Sequence, residues 1–227
     1  MNTSNSRIEP HDALILFADL QAGIVELTQT NPQDRLKKAV RALAQLAKLL
    51  EIPVIVTGVR GEDGNDANII PQIREVLGNL STHHRTTCDS FLNEEIVSAI
   101  KATGRKTLLI SGVATELAVQ LPALTAAEQG YRVYVVLDAC GGMSERTEQA
   151  ALLRLAKAGA TTVSVMTLAG ELRETFARLR PNKQSEYCTR WPKRHEGRQA
   201  RDLIDADSSR ALPLVTDHTQ SSTGFPD

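Results

Sequence analysis

The segment SGVATELAVQLPALTAAEQGYRVYVVLDA, residues 111–139, decides the fold class. It predicts a strand that ends near Gly112, a tight turn, a helix over residues 116–128 and a second strand that ends near Ala139. The turn has the form that presents a nucleophile at the start of a helix. Ala118 stands at that point, however, and its methyl group offers no reactive atom.

The chain on either side of this segment continues the alternation of short apolar strands and amphipathic helices. The strands are nearly continuous in Val, Ile and Leu, which is typical of strands that helices cover on both faces. Six strands are predicted, at residues 13–19, 53–59, 82–86, 106–113, 132–139 and 161–167, and the third is the weakest. The further predicted helices lie at residues 36–50, 94–102, 145–158 and 169–178, and the glycines expected to cap helices are Gly104, Gly130 and Gly159. This pattern predicts an α/β protein with a doubly wound, mainly parallel six-stranded sheet and helices on both faces, a three-layer α/β/α architecture.

The composition indicates one main domain without a surface for polyanions. The chain has 227 residues, 41% of them hydrophobic, and its 26 basic and 27 acidic side chains give a formal net charge of −1. We therefore expect no nucleic acid and no membrane among its partners. No run of about 18 apolar residues is present to cross a bilayer. Because residues 1–12 also lack the apolar core of a signal peptide, the expected location is the cytoplasm.

The composition changes past residue 180, so we expect a domain over residues 1–180 and a tail over residues 181–227. The tail is rich in Arg, Asp, Ser, Thr and Pro and has no sustained hydrophobic period. It can bury too little apolar area to offset an ordering entropy of roughly 1–2 kcal/mol per residue. It is predicted to be disordered or to drape over a partner subunit.

Polar and basic residues follow several of the predicted strands. Ligands of open α/β sheets bind beyond the carboxyl ends of the strands, near the point where the strand order reverses. There, the first strand ends at Asp19, before Leu20 and Gln21, and the third ends near Arg85. The fourth strand leads into the turn before Ala118. A single aspartate in such a place often only caps a turn, so the combination carries more weight than any one residue.

These residues carry a family resemblance. FADLQ at residues 17–21, RTTCDSF at residues 85–91, residues 111–139 and AGATTVSVMTLAGEL at residues 158–172 together resemble the isochorismatase-like hydrolases, also called the cysteine hydrolase superfamily. Residues 119–136 and 145–160 are most similar to its YcaC-like branch. The resemblance covers residues 12–176 and implies a Rossmann-like fold and hydrolysis of a small amide or related C–N bond.

The resemblance also implies roles for the residues at this edge of the sheet. Asp19 matches the general base of the family, and Arg85 matches the basic residue that supports it, usually lysine but arginine in the YcaC-like branch. The cysteine nucleophile of the family falls on Ala118. A thiolate at a helix N-terminus is stabilised by the helix dipole and by unpaired N–H groups, which also form an oxyanion hole.

Two further sets of residues follow from the same resemblance. The residues of the oxyanion turn are Val113, Ala114 and Leu117, and the Val113–Ala114 peptide bond is expected to be cis. The residues expected to contact the substrate are Leu20, Gln21 and Phe91. The expected ligand is a small molecule, and the expected assembly is a homo-oligomer of four or more subunits.

Three explanations of Ala118 stay open at this stage. It is an engineered replacement of the cysteine, made to trap a ligand without turnover. Alternatively, the chain is a natural homologue that lost amidase chemistry and now binds a ligand or serves as a scaffold. The third explanation is cysteine-independent chemistry, as in true isochorismatases, which carry glycine at this position and use the aspartate as a general acid to cleave a vinyl ether.

We expect no cofactor and no metal ion. Nicotinamidases of this superfamily bind a divalent ion through an Asp-x-His motif and a further histidine after the second strand, but residues 57–76 contain no histidine. His83 and His84 are adjacent, so in an extended segment they point to opposite faces and cannot easily share one metal ion. The chain has three cysteines, Cys88, Cys140 and Cys188, in a spacing that indicates neither a disulfide framework nor a zinc site. Neither Cys88 nor Cys140 lies at a predicted helix N-terminus, so nothing is expected to lower the pKa of its thiol. Neither is therefore expected to replace the missing thiol.

Overall fold

Six parallel strands form the centre of the fold in the computed structural model, which describes residues 7–60 and 68–172. They are Ala13–Ala18 (β1), Val54–Gly58 (β2), Thr82–His84 (β3), Thr107–Gly112 (β4), Arg132–Val136 (β5) and Thr161–Val163 (β6). The strand order is β3-β2-β1-β4-β5-β6, and every pairing is parallel. The order reverses between β1 and β4. This topology confirms the predicted doubly wound sheet, including its weakest strand.

Helices cover both faces of the sheet. They are Ala22–Val25 (α1), Gln33–Leu50 (α2), Pro71–Leu77 (α3), Glu94–Ala102 (α4), Gln120–Glu128 (α5), Glu145–Lys157 (α6) and Val165–Glu171 (α7). The apolar side chains of α2, α3 and α7 join one buried cluster, and those of α4, α5 and α6 join a second. The predicted helix caps Gly104, Gly130 and Gly159 have positive φ angles of 69°, 83° and 86°.

Strand β1 separates the two clusters and explains the continuous apolar pattern of the sequence. Ile15 and Phe17 pack into one cluster, and Leu14 and Leu16 pack into the other. All four side chains are fully buried. Burial of each such side chain stabilises the fold by about 1.5–3 kcal/mol, so substitutions on either face of β1 would be costly.

The C-terminal part of the described chain differs from the prediction. Strand β6 ends at Val163 rather than at residue 167, and helix α7 begins at Val165 rather than at residue 169. The cause is a helix cap, because Ser164 Oγ accepts a hydrogen bond of 3.0 Å from the Thr167 N–H. The Asp138 carboxylate accepts the Val165 N–H at 2.9 Å, which pairs a second donor of the first turn.

Other differences concern segments that the sequence pattern did not resolve. The short helices α1 and α3 were not predicted, although Pro71 at the first position of α3 is a helix-start signal. The predicted helix over residues 116–128 instead begins with a π-helical turn, Thr115–Val119, before α5. The boundary at residue 180 and the tail over residues 181–227 lie outside the described residues. Within the described ranges, no helix combines the length and apolar character that a membrane span requires.

Candidate active site

Asp19 directly follows β1, at the carboxyl edge of the sheet. Its backbone adopts the left-handed region, with φ of 55°, which is uncommon for residues other than glycine. Its N–H donates to the Thr57 carbonyl on β2 at 3.1 Å, so the neighbouring strand fixes this conformation. The residue is 1% exposed. A buried carboxylate in a sparsely populated backbone region is a feature that clusters at functional sites.

Arg85, which follows β3, is the partner of this carboxylate. Arg85 Nε donates to Asp19 Oδ1 at 2.9 Å, and Arg85 Nη2 donates to Asp19 Oδ2. The side chains are 10% and 2% exposed for Arg85 and Asp19, respectively. Two parallel N–H donors on one carboxylate make this a bidentate pair, the strongest geometry for an ion pair. The two residues that the sequence placed at this edge are therefore in direct contact, and their catalytic roles stay a prediction.

The environment of Arg85 favours its charged form. Burial of the guanidinium opposes the charge, but the hydrogen bonds and negative charge of Asp19 outweigh it, and Cys88 adds to them, so the pKa of Arg85 lies above its ordinary value. The backbone N–H of Arg85 donates to the Gly58 carbonyl at 3.0 Å. In the side chain, Nη1 donates to the Thr87 carbonyl at 2.5 Å. The guanidinium is therefore held by its own loop as well as by Asp19.

Asp89 anchors this loop to the helix that follows position 118. Its Oδ1 accepts the Phe91 N–H at 2.8 Å, and its Oδ2 accepts the Thr125 hydroxyl of α5 at 2.6 Å. Thr87 Oγ1 donates to the Asp89 carbonyl at 2.7 Å. The sequence did not single out Asp89 or Thr125, because their contact joins positions 36 residues apart.

The three predicted substrate-contacting residues are buried and make contacts within the protein. Leu20 is fully buried in one core cluster. The Gln21 side-chain amide both donates to and accepts from the backbone of Val59, at 2.8 Å each, and so holds the end of β2. Phe91 packs edge to face on Tyr131, with ring centroids 5.7 Å apart. Substrate contact by Leu20, Gln21 and Phe91 stays a prediction.

The turn after β4 lies beside Asp19 because β1 and β4 are adjacent and in register. Ala18 pairs with Gly112, and the Val113 N–H donates to the Ala18 carbonyl at 3.2 Å. A Cβ atom at position 112 would lie 2.3 Å from the Ala18 carbonyl oxygen. Glycine at this position is therefore needed for the approach, a requirement that the sequence pattern alone did not reveal.

The turn itself has the expected cis peptide bond between Val113 and Ala114. The Ala114 carbonyl accepts the N–H groups of Leu117 and Val119, at 3.1 and 3.4 Å. The Leu117 N–H, which the resemblance assigned to the oxyanion turn, is thus already used within the turn. The Ala114 N–H makes no hydrogen bond with any residue in ranges 7–60 and 68–172. Ala114 is therefore the better candidate to donate to a ligand.

Ala118 lies inside the π-helical turn and is 1% exposed. Of the two described cysteines, neither stands at that position. Cys140 is buried, and burial raises the pKa of its thiol to about 12, so it is a poor nucleophile. Cys88 is exposed, and its side chain interacts with the Arg85 guanidinium.

A metal site was not expected from the sequence. Across residues 7–60 and 68–172, no three His, Cys, Asp or Glu side chains are grouped so that they could hold a metal ion. His83 Nδ1 instead lies 2.9 Å from Glu95 Oε1. The absence of a metal or cofactor requirement stays a prediction.

A doubly wound sheet with a buried Asp–Arg pair at its carboxyl edge is the arrangement that the isochorismatase-like motifs of the sequence implied. The family model for the isochorismatase domain matches residues 13–167. The chain belongs to the isochorismatase domain family, as its sequence motifs predicted.

The similar proteins include members of the YcaC group. The chain is 38% identical over 167 residues to the probable hydrolase YcaC of Escherichia coli K12, which covers 73% of this chain and 80% of that protein. The structure of Pseudomonas aeruginosa YcaC with hexane-2,5-diol and covalent acrylamide has a TM-score of 0.78 at 30% identity, covering 90% of this chain and 98% of that one. The crystal structure of Escherichia coli YcaC, described as an octameric hydrolase of unknown specificity, has a TM-score of 0.73 at 35% identity, covering 78% and 86% of the two chains.

Proposed function

We propose that this site belongs to a hydrolase for a small amide or related C–N bond, and that Ala118 occupies the position of its nucleophile. The chain with Ala118 would then bind a carbonyl ligand but form no covalent intermediate. The observation that carries the proposal is the pairing of Asp19 with Arg85 beside a turn whose Ala114 N–H has no acceptor among the described residues. Membership of the isochorismatase family and similarity to a probable hydrolase support it.

A cysteine at position 118 would complete the chemistry. Its thiol proton would pass to the Asp19 carboxylate while sulfur bonds to the carbonyl carbon, and the Ala114 N–H would donate to the oxyanion. When the tetrahedral intermediate collapses, the C–N bond breaks and the amine leaves with the proton from Asp19. Water would then cleave the thioester, which releases the acid and restores the thiol. Ala118 supplies no sulfur, so this sequence would stop at binding.

The ion pair also bears on the alternative chemistry in which Asp19 acts as a general acid. Arg85 donates to both carboxylate oxygens, an arrangement suited to an ionised Asp19. Vinyl ether cleavage would need a proton on one of those oxygens, so the geometry favours Asp19 as a base. An engineered and a natural alanine predict the same geometry here. The codon at position 118 of the native gene distinguishes these two origins.

The test is the Ala118→Cys variant in a Cys88→Ser background, which removes the exposed one of the two described thiols. We expect iodoacetamide to alkylate position 118 faster than Cys140, as measured by peptide mass spectrometry, because Asp19 and the turn favour the thiolate. A panel of small amides should show turnover that adding Asp19→Asn abolishes. The matched control is Ala118→Ser, which adds a similar volume without a reactive sulfur. The proposal fails if the new thiol reacts no faster than Cys140 and no amide is hydrolysed.

We also propose that the protein is a cytoplasmic homo-oligomer of four or more subunits. The support is the octameric assembly stated for Escherichia coli YcaC. Several apolar side chains of the described surface are available for subunit contacts, and the three most exposed are Leu92, Leu153 and Met166, at 67%, 66% and 60%. Single exposed apolar side chains are also normal on monomers, so the proposal rests on the octameric relative.

A further inference from the structure

A cavity of about 520 Å³ opens at the carboxyl ends of β5 and β6, and neither Asp19, Arg85 nor Ala118 lines it. Its volume lies within the range of about 300–1,000 Å³ that is typical of small-molecule sites. The described residues that line it are Thr30, Asn31, Leu137, Asp138, Cys140, Glu148, Thr162, Val163, Ser164 and Thr167. The carboxyl edge of a doubly wound sheet is where ligands bind, so its location favours a binding role.

Hydrogen bonds between distant segments hold the cavity walls. Asn31 Nδ2 donates to the carbonyls of Asp138 and Cys140, at 2.9 Å each. The Gly142 N–H donates to Thr30 Oγ1 at 2.8 Å. The loop before α2 and the segment after β5 are therefore fixed relative to each other. A ligand would meet walls that are already formed, which lowers the entropic cost of binding.

The charge of the cavity has one sign. None of the described lining residues is basic, and two of them, Asp138 and Glu148, carry carboxylates. Both Asp138 oxygens accept the Val165 N–H, at 2.9 and 3.2 Å, and Glu148 Oε1 accepts the Thr115 hydroxyl at 2.7 Å. Within ranges 7–60 and 68–172, neither carboxylate forms an ion pair.

The protein around Asp138 does not fully stabilise its carboxylate. Desolvation by the surrounding protein raises the pKa of its carboxyl, and the hydrogen bonds from Val165 and the nearby backbone only partly counter this. A cation bound beside Asp138 would stabilise its ionised form. The apolar part of the wall consists of Leu137 and Val163, and hydroxyl groups come from Thr162 and Thr167.

We propose that this cavity binds a small alkylammonium compound. Its ammonium group would pair with Asp138 and Glu148, its methylene groups would contact Leu137 and Val163, and the threonine hydroxyls would accept or donate hydrogen bonds at the rim. The site is separate from the Asp19–Arg85 pair and does not depend on the reaction proposed there.

The test compares three probes of similar length on the full chain by isothermal titration calorimetry at neutral pH. The probes are putrescine, which is a diammonium cation, neutral butanediol, and the succinate dianion. Putrescine should bind at least about 10-fold more tightly than either of the others, because hydrogen bonds to charged groups contribute about 1.5–3 kcal/mol. Equal binding of butanediol, or no binding of putrescine, would overturn the proposal.

Two isosteric variants locate the site. Asp138→Asn and Glu148→Gln should each weaken putrescine binding at least about 10-fold, because each removes one of the two charges that face the ligand. The matched control is Glu128→Gln, which removes the same charge from the exposed end of α5. Thermal unfolding checks that each variant is folded, and if one is not, the other decides. If the control lowers affinity as much as the cavity variants, the attraction is only a general charge effect and the assigned site is wrong.

Discussion

The buried pair of Asp19 and Arg85 gives the sharpest quantitative prediction. Arg85→Met removes the guanidinium but keeps a long side chain, and it leaves the Asp19 carboxylate, 2% exposed, without either of its two side-chain donors. An uncompensated buried charge costs about 3–5 kcal/mol. We expect the free energy of unfolding of Arg85→Met to fall by that amount.

A double-mutant cycle separates the pair from the loss of the arginine itself. Asp19→Asn in the Arg85→Met background removes the orphaned charge, so part of the lost stability should return. The coupling free energy should exceed about 2 kcal/mol, within the range known for residues in direct contact. Equilibrium urea unfolding supplies the four values, measured at one fixed protein concentration because subunit association would add to the apparent stability.

The chain contains a matched control for the cycle. Arg41 and Glu75 form an ion pair of the same chemical type, but their side chains are 43% and 57% exposed. The cycle of Arg41→Met and Glu75→Gln should give a coupling of about 0.2–1 kcal/mol, as exposed pairs do. If the coupling between Asp19 and Arg85 is no larger than that between Arg41 and Glu75, the Asp19–Arg85 pair is not the buried ion pair that the geometry indicates.

Two further predictions concern the buried thiol and the assembly. Burial raises the pKa of Cys140 from an ordinary value of 9.0 to about 12, so the free energy of unfolding should fall as the pH rises through this window, by about 1–2 kcal/mol from pH 8 to pH 10. Urea titrations of wild type and Cys140→Ala at both pH values measure this loss. An equal loss of stability in the two proteins would contradict the prediction. Light scattering coupled to size exclusion should give a mass of at least four chains, and a monomer at micromolar concentration would refute the proposed assembly.

The sequence predicted the fold well because β1 and its neighbours are buried on both faces. This burial makes continuous apolar runs such as residues 13–19 unambiguous as strands. The predicted end of β6 was wrong because residues 161–167 are rich in β-branched Thr and Val, which favour a strand, while the Ser164 hydroxyl and the Asp138 carboxylate stabilise a helix start at Val165. The Ser164 cap acts only three residues along the chain and is readable from the sequence, whereas the contact of Asp138 with Val165 joins positions 27 residues apart and is not.

One part of the candidate site was predictable, because the carboxyl ends of parallel strands meet at one edge of the sheet. Asp19 and Arg85 both follow parallel strands of this sheet. The family motifs and the topology together therefore predicted that the two residues lie close to each other. Three features were not predictable: the contact between Gly112 and Ala18, the anchor from Asp89 to Thr125, and the cavity at the carboxyl ends of β5 and β6. They depend on side chains that meet only after folding, such as Asn31 and Asp138, which are 107 residues apart.

The retained ion pair alone does not establish that the site still has a function. Because removing one partner of a buried pair is so costly, Asp19 and Arg85 would persist even in a chain that had no ligand. The Ala114 N–H leads to a different conclusion. Ala114 is 5% exposed, and its N–H has no acceptor within the described ranges. Stability gives no reason to keep such a donor beside Asp19, whereas a ligand carbonyl would satisfy it. Binding of a ligand carbonyl would explain an unpaired donor at this turn, whereas the ion pair alone would not.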